Sequence, residues 1–124
     1  MTGFEVFTDR GRRGDPRPML TVSGESTLRL NKSAMSLLGV RASAREGPPR
    51  AVSVEVLWDR DNGAWAIRLS SSSEAYRVTA ATPMSAAIGC SAFVREAGLP
   101  HGSKWELVAE PEIGLDAFRA VPAW

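Results

Sequence analysis

Four arginines, Arg10, Arg12, Arg13 and Arg17, fall within eight residues near the start of this 124-residue chain. A guanidinium is a planar fork of N–H donors that matches phosphate oxygens and guanine edges. The arginines alternate with Gly11, Gly14, Pro16 and Pro18, and such a stretch forms neither a helix nor a central strand. It is expected as an arm, able to enter a nucleic-acid groove. Arg29, Lys32 and Arg41 continue the basic series. The chain as a whole carries only +1. Residues 1–50 hold nine Lys/Arg against five Asp/Glu, net +4, whereas residues 51–124 hold six against nine, net −3. A polyanion would therefore meet the first half. The isoelectric point near 8.0 is below that of a dedicated nucleic-acid domain, so solvation of an exposed arm is the competing explanation.

Other chemistries find little support. Cys90 and His101 are each the sole residue of their type, which excludes an internal disulfide, a multi-cysteine zinc site and a histidine-rich metal site. Cys90 opens an expected helix and reads as structural. Asp59-Arg60-Asp61-Asn62-Gly63 resembles the start of a calcium loop, but position twelve is Ser70 where such a loop needs glutamate. The serines at 70–73 lack a nucleophile-elbow context, and no phosphate-binding glycine loop is present. No enzyme, metal or cofactor is expected.

Hydrophobic residues make up 44% and charged residues 23% of the chain, ordinary for one globular domain. Met19–Val22 and Thr27–Leu30 are short and β-prone. Asn31 is placed to cap a helix over Lys32–Leu38, which Gly39 ends in the left-handed conformation. Val52–Trp58 alternates apolar and polar residues, and Ala64–Leu69 returns. Asn62-Gly63 reads as a two-residue hairpin turn. That turn sets Trp58 opposite Ile67 and Val56 opposite Leu69, with Val54, Val56, Trp58, Trp65, Ile67 and Leu69 on one core face.

The same pattern recurs downstream. One gapless register sets Thr21 on Thr79, Leu30 on Ile88 and Ser33 on Ser91. Another sets Glu55 on Glu106, Gly63 on Gly114, Ile67 on Phe118 and Arg68 on Arg119. Each copy, 19–72 and 75–121, reads strand, strand, short helix, strand, strand, preceded by an N-terminal strand and basic arm over 1–18. Helices this short and isolated hairpins are not stable alone. The two copies are therefore expected to interleave into one mostly-β barrel with pseudo-twofold symmetry, closing its strand edges. Arg68 and Arg119, at matching outward positions, could mark a partner surface; their methylene stems could equally cover apolar neighbours.

The first copy, Thr27-Leu28-Arg29-Leu30-Asn31, Lys32 to Val40, Val54-Glu55-Val56 and Asn62 to Ile67, resembles the swapped-hairpin fold of AbrB-type transition-state regulators and related antitoxins. The resemblance spans about residues 19–121. In that family two chains interleave into one dimeric barrel; two copies in one chain imply a monomeric pseudo-dimer, or a homodimer of such units. The sequence departs from the family at Ser26-Thr27 and Asn31, where Gly-Arg and Pro are usual. In the second copy Ala87, Gly89 and Cys90 replace Arg29, Asn31 and Lys32. The resemblance implies duplex DNA as partner, met by Arg29 and Lys32 and reinforced by Arg10, Arg12, Arg13, Arg17 and Arg41. The alternative is a protein-interaction module, an adaptor or antitoxin-like inhibitor, with a protein partner and no DNA. Without a long apolar run or a leader-like start, the chain is expected to be cytoplasmic, with no membrane partner.

Overall fold

The computed structural model describes residues 16–24, 27–41, 51–82 and 84–123. Its strands are β1 (Met19–Ser23), β2 (Thr27–Leu30), β3 (Val52–Asp59), β4 (Ala64–Leu69), β5 (Tyr76–Thr82), β6 (Ser85–Gly89), β7 (Lys104–Ala109) and β8 (Ala117–Pro122). Helix α1 (Lys32–Leu38) joins β2 to β3, and α2 (Ser91–Ala97) joins β6 to β7. The chain is mostly β. All strand pairs are antiparallel and close into a barrel in the order β1-β2-β6-β5-β3-β4-β8-β7. No helix is long and apolar enough to cross a membrane among the described residues.

The barrel interior is set by strand alternation. Leu20, Val22, Leu28, Leu30, Val54, Ile67, Val78 and Ile88 point inward and are at most 1% exposed. Each contributes about 1.5–3 kcal/mol of burial. The helices close the ends. Helix α1 inserts Ala34, Met35 and Leu38, and α2 inserts Phe93 and Val94. Phe93 meets the rings of Trp58 and Trp65 at 5.6 and 5.2 Å, and Trp65 meets Trp105 at 5.3 Å. Because β2 and β6 run antiparallel, the helices that follow them lie at opposite ends.

Both helix ends form as expected. Asn31 Oδ1 accepts from the Ala34 N–H at 2.9 Å, the cap that lets α1 start there. Gly39 and Gly98 take φ of +81° and +66°. Past each of them the chain bonds back into the helix, Val40 N–H to the Met35 carbonyl and Leu99 N–H to Val94. Cys90, at the start of α2, makes no capping bond through its side chain.

Exchanging β1 with β5, β2 with β6, β3 with β7 and β4 with β8 leaves the strand order unchanged. Registers agree between β1–β2 and β5–β6, whereas β3–β4 and β7–β8 differ by two residues, Arg68 lying opposite Glu55 and Arg119 opposite Val108. Leu20–Leu30, Thr21–Arg29 and Val22–Leu28 have the counterparts Val78–Ile88, Thr79–Ala87 and Ala80–Ala86. The exchange turns the pairs Arg29–Ala87 and Ile67–Phe118 into themselves, so its axis crosses the barrel between these two points.

One expectation is corrected. The first hairpin turns through four residues, Arg60 to Gly63, and Trp58 lies opposite Trp65, Val56 opposite Ile67 and Val54 opposite Leu69. A two-residue type I′ turn needs positive φ at both central residues, but only Gly63 has it. The Asp59 carboxylate instead accepts from the Asn62 N–H at 3.3 Å and from Asn62 Nδ2 at 2.7 Å, which closes the wider loop. The shift is by two residues, so the inward face keeps its members.

Candidate nucleic-acid interface

The barrel has two outward walls. On β1, β2, β6 and β5 the outward positions are taken by short side chains, Thr21, Ser23, Thr27, Thr79, Ser85 and Ala87, around two cations, Arg29 and Arg77. These strands contain no carboxylate. Lys104 on β7 pairs with Thr21, which pairs with Arg29, which pairs with Ala87. At about 4.8 Å between strands, Lys104 and Arg29 stand about 10 Å apart along one row. Arg29, Arg77 and Lys104 are exposed and form no ion pair among the described residues. The result is a hydroxyl-bearing surface whose positive charge is unpaired among the described residues. Its hydroxyls can donate to phosphate oxygens, and the small side chains let a backbone come close.

The opposite wall, β3, β4, β8 and β7, is compensated. Arg68 faces Glu55 across β3 and β4, with Nη2 3.3 Å from Oε1. Arg119 lies opposite Val108, whereas Arg68 is opposite Glu55 and not the matching Leu57, and Arg119 Nε is 3.6 Å from Glu110 Oε2. Both arginines flanking the exchange axis on this wall are thus engaged within the chain.

The other basic residues scatter. Arg10, Arg12 and Arg13 lie outside the described residues. Arg17 lies 3.7 Å from Glu106, and its carbonyl accepts from Asn31 Nδ2 at 2.8 Å. Lys32 is exposed on the first turn of α1, at a barrel end, and Arg41 is half-buried beyond that helix. The structure thus brings Arg29 together with Arg77 and Lys104, which sequence reasoning missed. Only strand pairing joins these three, so no local signal could have grouped them.

Two further groups are structural. Cys90 is buried, its thiol pushed up to about 11 by desolvation, and Sγ donates to the Ile88 carbonyl at 3.8 Å. A thiol so raised is a poor nucleophile at neutral pH. His101 Nδ1 accepts from the Gly24 N–H at 2.9 Å, tying the loop before β7 to the β1–β2 turn. Asp59 titrates below the ordinary carboxylate value, chiefly through its bond from the Asn62 side chain. No group of three His, Cys, Asp or Glu is placed to hold a metal among the described residues.

Comparison with protein-family models, curated proteins and solved structures gives no match. The wall itself is therefore the guide to function.

Proposed function

We propose that this protein is a small DNA-binding transcriptional regulator of AbrB-like type, built as a single-chain pseudo-dimer from two ββαββ copies. The observation that carries the reading is the wall where Arg29 and Arg77 rise among hydroxyl side chains without a carboxylate on β1, β2, β5 or β6, with Lys104 beside it on β7, whose Glu106 is held by Arg17. The symmetric strand order supports the pseudo-dimer part. Duplex DNA lies across the wall. The cations neutralise phosphates, the hydroxyls bond phosphate oxygens, and Lys32, Arg41 and the Arg10, Arg12, Arg13 and Arg17 series extend the contact. The symmetry mates of Arg29, Arg77 and Lys104 are Ala87, Met19 and Ser53, so the charge is not symmetric about the axis and a palindromic site is not required.

Fluorescence anisotropy on a mixed-sequence duplex between 50 and 200 mM salt tests this. Affinity should fall by a decade or more, with a log–log slope of about −0.9 per phosphate contact. Replacing Arg29, Arg77 and Lys104 together with alanine should flatten that slope by about 2–3. No binding at low salt, or an unchanged slope in the triple variant, would overturn the reading.

A further inference from the structure

The β1–β2 turn, at one end of the Arg29 wall, is held by a side chain that can change its charge. The Gly24 N–H donates to His101 Nδ1 at 2.9 Å. An amide N–H can only donate, so Nδ1 presents its lone pair and the ring proton sits on Nε2. An imidazolium carries a proton on both nitrogens and has no acceptor to offer. The bond therefore exists only while His101, the sole histidine of the chain, is neutral.

The neighbouring bonds do not titrate. Gly102 N–H donates to the Val22 carbonyl at 2.8 Å, Val22 N–H to the Ser103 carbonyl at 2.9 Å, and Ser103 N–H to the Pro100 carbonyl at 3.0 Å. They hold the loop against β1 and leave the His101 bond as the outermost rung, past the end of the strand. At the matching β5–β6 turn, hydroxyls do the work: Thr82 Oγ1 lies 3.2 Å from Ser85 Oγ and accepts from the Met84 N–H at 3.1 Å. The charged groups on the elements that meet at the His101 corner are Arg29 on β2, Lys104 and Glu106 on β7, and Arg95 and Glu96 on α2, whereas β1 and β6 carry none. Glu106 is held by Arg17 and Glu96 by Arg60, and no ion pair reaches His101 among the described residues. Glu25, within the turn, lies outside the described residues.

We propose that His101 is a proton-controlled clasp: the neutral imidazole holds the β1–β2 turn against the loop before β7, and the imidazolium releases it. Nδ1 takes one proton from water, and two N–H groups then face each other where one donated to the other. His101 is exposed, so the proton reaches it without unfolding. Histidine gains and loses its proton between about pH 5 and 8, which makes the clasp responsive in that range. Ser23 and Thr27 flank the turn and pair with each other. Release therefore loosens the hydroxyl-bearing end of the wall and adds a positive charge three residues before Lys104. The clasp rests on the Gly24–His101 geometry alone and stands whether or not the wall binds DNA.

The test is nuclear magnetic resonance on the nitrogen-15-labelled full chain, taken from about pH 8 to about pH 5, the range in which histidine titrates. Scalar coupling across the hydrogen bond, between the Gly24 nitrogen and His101 Nδ1, is expected at the upper end and lost at the lower. The Gly24 amide shift should follow the imidazole titration with the same midpoint, while the Met84 amide in the matching turn stays still. In His101→Asn, Oδ1 offers an acceptor in place of Nδ1 that does not titrate, and the Gly24 amide shift should stay constant across the range. Coupling absent at the upper end, coupling that persists at the lower, or a Gly24 amide that moves as much in His101→Asn would overturn the proposal.

Discussion

The half with β1 to β4 and α1 and the half with β5 to β8 and α2 follow the same strand order and present different surfaces. Inside, Leu30 and Ile88 occupy matching positions at 1% and 0% exposure, and Met35 and Phe93 enter from the two helices. Outside, Arg29 has Ala87 as its mate, Lys104 has Ser53 and Arg77 has Met19. The barrel demands volume and apolarity within, because buried side chains interdigitate closely. It demands nothing of outward positions beyond solubility. The two halves differ where the scaffold is indifferent, and the candidate binding surface lies there.

The strongest way to break that comparison is to truncate matched core residues. Leu30→Ala and Ile88→Ala should each cost about 2–5 kcal/mol, measured by urea unfolding, and the two costs should be similar. A single transition in both variants is expected, since neither copy can bury its apolar face alone. One copy melting separately would show the two to be independent folding units.

A smaller effect distinguishes the helix starts. Asn31 accepts from the Met19 and Ala34 N–H groups and donates to the Arg17 carbonyl, so it joins α1, β1 and the segment before β1, whose Pro18 carbonyl accepts from the Leu107 N–H at 2.9 Å. Asn31→Ala should cost about 1–2 kcal/mol. It should also free the Leu107 amide for faster hydrogen exchange. If the Leu107 amide stays protected, the Pro18 bond to β7 does not depend on this residue.

The smallest effect belongs to Cys90. Burial raises its thiol from 9.0 to about 11 in the folded chain. The neutral thiol is the form the fold accommodates, so its stabilising share is complete below pH 9 and is lost as pH rises from 9 towards 11. By pH 9.5 the loss should be about 1 kcal/mol or less, seen in melts of the native chain and absent in Cys90→Ala. An identical alkaline decline in both would place its cause in other groups.

Much of the fold was legible along the chain. Alternation in Val52–Trp58 and Ala64–Leu69 marked the inward residues, and Asn31, Gly39 and Gly98 marked helix ends through local backbone chemistry. The repeat register carried over to the pairs Leu20–Leu30 and Val78–Ile88. The Asn62-Gly63 reading failed on its register, because the Asp59 side chain competes for the turn and stabilises a wider loop. The candidate site was legible only at Arg29.

What the sequence determined by itself was the order of elements, their inward faces and their caps, since these depend on residues a few positions apart. Only the tertiary structure decided which cations stand unpaired among the described residues and which are held by Glu55, Glu106 or Glu110. Those outcomes depend on which strands become neighbours and in what register. Pairs such as Thr21 with Lys104 or Val54 with Tyr76 join residues far apart in the chain, and only closure of the whole barrel sets them side by side.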